Sequence, residues 1–287
     1  MCLGARRPRM PPLQTSTNGL PPPGYIRAFS TLGCGDLDLD GVIGLARAHG
    51  IPAVELRVLG GSLDLPAYFS GRGDSAATLS SKVRDCGVRV LALATSLRLL
   101  DGSDADVEKF LEFAPWADAL GAPWLRVFDG GVDANGAELG RAASILSRWR
   151  EHRAARGWRT DIMVETHDAL RGADAIGRFT RALPGTKILW DTYHTWSKGG
   201  ENPADTWPAI RPSVAHIHVK DSRIANDEGR KSGYVLPGTG DFPMAALRQA
   251  LGTRYTGAVS LEWERQWHPE LPPLDEALRS ASSRSWW

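Results

Sequence analysis

The chain is short of what several classes of protein require. It has three cysteines, Cys2, Cys34 and Cys86. They form no Cys-x-x-Cys pair, and an odd number suits a disulfide framework poorly, so reduced thiols in a cytoplasmic protein are expected. No apolar run approaches the roughly 18 to 20 residues that a membrane span needs. An excess of one charge sign is missing too. The net charge of +1 creates no global field to gather a polyanion, which argues against nucleic acid and anionic membranes as partners but leaves a small anionic substrate open. No Gly-x-Gly-x-x-Gly follows the first predicted strand, so the dinucleotide fingerprint is absent. Neither the cysteines nor the serines have triad-like neighbours, and covalent catalysis by them is not expected.

The first two dozen residues stand apart. Met1 to Gly24 carries Arg6, Arg7 and Arg9, many prolines and no acid. It lacks the apolar stretch of a secretory signal. An organellar targeting segment is the alternative, but the Pro-Pro pairs oppose an amphipathic helix. The segment reads as a disordered extension, leaving residues 25–287 as one domain.

From Tyr25 onward, short apolar runs alternate with longer amphipathic stretches. Strands are predicted over Tyr25–Thr31, Ala53–Leu59, Val88–Ala94, Trp124–Phe128, Asp161–Thr166, Lys187–Trp190, Val214–Val219 and Ala258–Trp263. Helices are predicted near Asp38–His49, Ser75–Cys86, Asp104–Leu120, Ala137–Arg156, Ala169–Ala182, Pro203–Ile210, Pro243–Leu251 and Pro273–Ser280. Strict alternation implies a parallel sheet, and near-continuous apolar strands imply that both its faces are covered. Eight repeats in 287 residues, with 42% apolar residues for the core, favour a single (β/α)8 TIM barrel over an open sheet.

In such a barrel the chemistry sits at the C-terminal ends of the strands. The fifth run ends Glu165-Thr166-His167-Asp168, and the sixth ends Asp191-Thr192-Tyr193-His194. The seventh reads His216-Ile217-His218-Val219-Lys220-Asp221, and the eighth reads Glu262-Trp263-Glu264. One strand-end carboxylate is usually a cap or a salt-bridge partner. Four consecutive strands ending in Glu165, Asp191, His218 and Glu262 point to one divalent ion, because three converging carboxylates repel one another without a cation. The mixed oxygen and nitrogen shell suits Mn²⁺, Mg²⁺, Co²⁺ or Zn²⁺ better than a thiolate-seeking metal. His216 shares a strand face with His218 and is expected to be a hydrogen-bonded interior histidine. His167 and His194 are placed to contact substrate hydroxyls or to support a ligand. Lys220 is placed to neutralise an anion or to pair with Glu262, Glu264 or Asp191. Trp124, Trp190, Trp196 and Trp263 are expected near the mouth, where an indole could stack on a sugar. The segment Leu236-Pro237-Gly238-Thr239-Gly240-Asp241-Phe242-Pro243 is read as a plain turn rather than a phosphate cradle.

These motifs together resemble the xylose isomerase-like TIM-barrel superfamily over about Tyr25 to Ala281. The resemblance rests on Glu165-x-His167, Asp191-x-x-His194, His218-x-Lys220-Asp221, the Pro-Gly-x-Gly-Asp turn and Glu262. It implies a metal held by Glu165, Asp191, His218 and Glu262. It also implies Glu165 and Glu262 as catalytic acid and base moving a proton beside a carbonyl through an enediolate. His194 matches a position that in the epimerases contacts substrate oxygen. Two departures stand out. Arg171 occupies the place of a further glutamate of the ketose 3-epimerases, and Arg223 is out of register by one with their substrate arginine. These turn the expectation away from a free ketose and towards a phosphorylated, acidic or bulkier polyol-like substrate.

The first expectation is therefore a metal-dependent isomerase or epimerase acting on a small carbohydrate or polyol-like molecule. Glu165 and Glu262 are its catalytic pair, and His167, His194, Lys220, Arg223 and Trp124 border its substrate. A lyase on the same scaffold, of the inosose dehydratase or glycoside-eliminating kind, is the alternative. A sugar-binding barrel without catalysis and an endonuclease IV-like hydrolase rank lower. The second and third strands end in Glu55-Leu56-Arg57 and Thr95-Ser96, without the histidines a three-zinc nuclease needs. A homo-oligomer is compatible with the sequence.

Overall fold

The computed structural model describes residues 23–224 and 233–287. The expected extension falls mostly on residues 1–22, outside the described residues. In chain order the elements are β1 (Ile26–Ser30), α1 (Leu39–Ala48), β2 (Ala53–Leu56), α2 (Leu65–Gly71), α3 (Ala76–Cys86), β3 (Arg89–Arg98), α4 (Asp104–Leu111), α5 (Ala114–Ala119), β4 (Trp124–Phe128), α6 (Gly136–Arg156), β5 (Asp161–Glu165), α7 (Ala173–Ala182), β6 (Lys187–Asp191), α8 (Pro203–Ile210), β7 (Val214–Val219), β8 (Ser222–Arg223), β9 (Gly233–Tyr234), α9 (Met244–Leu251), β10 (Ala258–Leu261) and α10 (Leu274–Ser283). Eight of the strands close a parallel barrel in the order β1-β10-β7-β6-β5-β4-β3-β2, and β8 and β9 form a separate antiparallel pair. The chain is a single-domain (β/α)8 barrel. Among the described residues no helix is long and apolar enough to cross a membrane.

Two apolar regions hold it together. The large one lies between strands and helices, where Val54, Leu56, Val164, Trp190, Ile217 and Val219 meet helix residues such as Val42, Phe110, Trp149 and Phe179. Trp190 is fully buried there, stacks on Trp207 with ring centroids 6.0 Å apart, and donates Nε1–H to Thr195 Oγ1. The second region is the barrel interior at the N-terminal end, filled by Ala28, Ala53, Leu91 and Ala258 on one side and Ala92, Met163 and Leu189 on the other. Alternate residues of a strand share a face, so the residues two further on (Ser30, Glu55, Ala94, Glu165 and Asp191) form the next interior layer towards the mouth.

Local chemistry explains where the elements differ from the sequence reading. The predicted helix Asp104–Leu120 is two helices, α4 and α5. Pro115 has no N–H to donate and crowds the preceding turn, so it starts a helix instead of continuing one. The helix expected from Ala169 begins at Ala173 because residues 168–170 are tied elsewhere. Asp129 accepts the N–H groups of Asp168 and Leu170, and Glu201 accepts that of Ala173 at the helix start. A Cβ at position 172 would lie 2.3 Å from Glu201 Oε1, so a larger residue there would push that carboxylate off the Ala173 N–H. Helix α2 and the β8–β9 pair were not anticipated; each is short and lacks a readable period.

Candidate metal centre

Glu165 and Asp191 are the last residues of β5 and β6, His218 is near the end of β7, and Glu262 directly follows β10. All four are buried, and one ligand atom from each lies within 4.8 Å of the others. The structure brings the four predicted residues together, and parallel strand register is the reason: Asp191 pairs with His218, and Ser260, two before Glu262, pairs with His218 from the other side.

His218 sets the chemistry. Its Nε2 lies 3.0 Å from Glu55 Oε2. A carboxylate only accepts, so Nε2 carries the hydrogen and Nδ1 of the neutral ring holds a lone pair. Nδ1 lies 3.3 Å from Glu262 Oε1 and 3.6 Å from Glu165 Oε1 without a hydrogen bond to either. A lone pair facing two carboxylate oxygens is repulsive unless a cation lies between them. A proton can play that part: burial disfavours the charged ring, but Glu262 and Glu55 outweigh it and raise the His218 pKa well above the usual imidazole range. Two more buried oxygens of the group lack hydrogen bonds, Glu165 Oε2 and Asp191 Oδ2. Asp191 Oδ1 is oriented by the N–H groups of Tyr193 and His194. Three buried carboxylates and one imidazole converging on one point fit a hard or borderline divalent ion.

Cations of the protein already lean on this group. Arg126 places Nε 3.0 Å from Glu165 Oε2, donates to Thr95 O and lies over the Phe128 ring at 4.1 Å. Lys220 Nζ stands 2.9 Å from Asp191 Oδ2 and 2.6 Å from Glu264 Oε1, and is also ion-paired with Glu262. Burial alone would raise both glutamate pKa values. Arg126 holds Glu165 below the ordinary carboxylate range, and His218 with Lys220 holds Glu262 well below it. Both glutamates are thus held as carboxylate anions.

The other predicted residues divide. His194 is buried, with Nδ1 2.9 Å from Thr166 O, so that nitrogen donates; burial lowers its pKa and keeps the ring neutral. His167 packs edge-on against both His194 and Phe128, with Nδ1 2.9 Å from Asp168 Oδ1. Both line the mouth beside the four ligands. Arg223 is exposed on β8, and Arg171 is exposed with Nε donating to Asp168 O. Trp124 is a correction. It is the first residue of β4 and packs with Ala92, Met163 and Leu189, about 13 Å of strand below the mouth. It does face the barrel interior, but at the opposite end. Trp190 and Trp263 are fully buried, and Trp196 packs on Phe242.

The sequence reading missed the support beneath the ligands. Glu55 is buried and bridges two histidines, with Oε1 2.8 Å from His216 Nε2 and Oε2 on His218; Ser260 Oγ adds a contact to His216 at 2.9 Å. The clue was available, since Glu55 stands as a lone charge within the apolar run of β2. The Pro-Gly-x-Gly-Asp turn is resolved as well. The N–H groups of Gly238, Gly240 and Phe242 all donate to the Asp221 carboxylate. They are occupied, so the segment is a turn held by Asp221 and not a phosphate cradle. A Cβ on residue 240 would sit 2.2 Å from Asp221 Oδ1.

The fold has counterparts among known proteins. The sequence pattern of the xylose isomerase-like TIM barrel matches residues 43–284. No curated protein matches the chain. Among solved structures, the probable 3-DHS dehydratase AsbF of Bacillus anthracis superposes with a TM-score of 0.71 at 17% identity, covering 91% of this chain and 100% of that one. The IolI protein with a bound zinc atom gives 0.70 at 16% identity, with 91% and 96% covered. A D-tagatose 3-epimerase-like protein gives 0.63 at 16%, again with 91% and 96% covered. At these identities the likeness establishes the fold. Together with the match over most of its length, it makes this chain a member of the xylose isomerase-like TIM barrel family.

Proposed function

We propose that the protein is a divalent-metal-dependent isomerase or epimerase of a sugar or polyol-like molecule. The observation that carries this reading is the convergence of Glu165, Asp191, His218 and Glu262, all buried, with one ligand atom from each within 4.8 Å of the others. Glu165, Asp191, His218 and Glu262 would hold the ion, with Mn²⁺, Mg²⁺, Co²⁺ and Zn²⁺ the candidates. When bound, the ion would polarise a substrate carbonyl and offset charge developing on its oxygen. The two glutamates come from β5 and from the residue after β10, three strand steps apart round the barrel. From those positions one carboxylate removes a proton from the carbon beside the carbonyl, and the other returns one on the opposite face. His194 offers a neutral ring nitrogen, and His167 a polar edge, to substrate hydroxyls. Members of the family process sugars as isomerases, epimerases and dehydratases, which agrees with this assignment.

Elimination is the second reading: a probable dehydratase is among the solved structures with this fold, and the same glutamate pair would remove the proton that starts an elimination.

Metal analysis of the purified protein is the first test. Incubation with keto-sugars and inososes in D₂O is the second. Deuterium uptake with mass otherwise conserved identifies an isomerase, while a new ultraviolet-absorbing enone identifies a lyase. Glu262→Gln should reduce exchange at least about 1,000-fold and weaken metal binding, since it removes both a base and a ligand. Full activity of that variant on a confirmed substrate would refute the two-glutamate mechanism.

A further inference from the structure

Three basic side chains other than histidine are buried among the described residues: Arg57, Arg126 and Lys220. Two have carboxylate partners. Arg126 is paired with Glu165, and Lys220 with Asp191, Glu262 and Glu264. Arg57 is 5% exposed and has no carboxylate within ion-pairing distance among the described residues. Its guanidinium makes two hydrogen bonds, both to neutral oxygens of β3: Nη1–H to Ala94 O and Nη2–H to Ser96 Oγ. A neutral side chain could tie down β3 equally well. A buried charge without a counter-ion costs several kcal/mol, so its retention calls for an anion that arrives later.

The position of Arg57 says where that anion would sit. Arg57 directly follows β2, two residues beyond Glu55, and its guanidinium reaches Ala94 and Ser96 towards the C-terminal end of β3, nearer the mouth. Strand β2 is four steps from β6 in either direction round the barrel. The guanidinium therefore stands across the mouth from Asp191. Its surroundings already strain its charge: burial and then Arg126 lower its pKa to about 9, against the pull of Glu165 and Glu262. On the far side Phe128, His167, His194, Tyr193 and Tyr234 run ring to ring, with successive centroids 4.9, 4.5, 5.8 and 5.2 Å apart.

We infer that Arg57 recognises a carboxylate on the substrate, which is a polyhydroxylated acid rather than a neutral sugar. The inference rests on the reading of this mouth as a substrate site and adds the substrate's class to it. A planar guanidinium with free N–H groups matches a carboxylate edge-on. A phosphate dianion would call for further donors, and the nearest glycine-rich turn has committed its N–H groups to Asp221.

The test is calorimetry on the intact protein with and without Mn²⁺, using two matched pairs: quinate with its methyl ester, and glucuronate with its methyl ester. The acid of at least one pair should bind about 10- to 100-fold more tightly than its ester, as a charge-assisted hydrogen bond would give. Arg57→Gln should erase that preference while leaving ester binding unchanged, which also reports that the variant is folded. Arg57→Lys should keep part of the preference. Equal binding of acid and ester in both pairs overturns the inference, as does a preference that survives in Arg57→Gln. Stronger binding of glucose 6-phosphate than of either acid also overturns it. Absence of Mn²⁺ binding in the same experiment refutes the metal-dependent reading instead, and the acid–ester comparison without Mn²⁺ still decides the role of Arg57.

Discussion

Two layers of the barrel interior sit only two residues apart along the same strands, and they are made of different material. The lower layer holds Ala53, Trp124, Met163 and Leu189; the upper holds Glu55, Arg126, Glu165 and Asp191. Both are removed from water. Burial in the lower layer is favourable by itself, at about 25 cal/mol for each Å² of apolar surface. In the upper layer burial is costly, and each charge is met across strands: Arg126 by Glu165, Asp191 by Lys220, and Glu55 by His216 and His218. The lower layer is thus expected to carry stability, and the upper layer to spend some of it on a reactive site.

The comparison can be broken in three places. The largest effect is expected from Leu189→Ala in the lower layer. It should lower unfolding free energy by about 3 kcal/mol, since it leaves a cavity in a closed core, and change metal affinity less than twofold. Denaturant unfolding and metal titration of one preparation check both. A large loss of metal affinity would mean that the layers are not separable. Next comes Glu55→Gln. It keeps the shape but removes the charge that orients His218, and metal affinity should fall about 10- to 100-fold, as for other carboxylates behind a metal-binding histidine. Unchanged affinity would show that His218 is held by packing alone. The smallest effect concerns Cys34, which lies in the turn after β1 at the mouth end yet belongs with the inert material. Burial, then Asp36, push its thiol up to about 12. At pH 8 its thiolate fraction is on the order of 1 in 10,000, so iodoacetamide should leave the Cys34 peptide unmodified until guanidinium unfolds the protein. Rapid labelling of the native protein would place the mouth-end turn in a more open environment than its burial indicates.

Much of this was legible in the sequence because parallel strands convert chain pattern directly into position. A run that ends in a carboxylate puts it at the mouth, and four such runs converge wherever the strands are neighbours. That logic singled out Glu165, Asp191, His218 and Glu262, which lie together in the structure. It failed for Trp124, because an aromatic residue at the start of a run was counted as though it stood at the end. It also passed over Glu55, Arg57 and Arg126. Glu55 meets a histidine 161 residues away, and a lone polar residue within an apolar run carries no sign of what it will meet. The splitting of α4 from α5 was readable at Pro115. The β8–β9 pair was not, since two residues a side establish no alternation.

The loop after β5 carries His167 and is fastened from both neighbouring repeats: Asp129, following β4, holds residues 168 and 170, and Glu201, preceding α8, holds the first turn of α7. Each tie runs from one repeat into the next, so this loop is not an interchangeable part. Anyone grafting it onto another barrel to redirect specificity would have to transplant two flanking acids with it, and the smallest portable unit here spans three repeats.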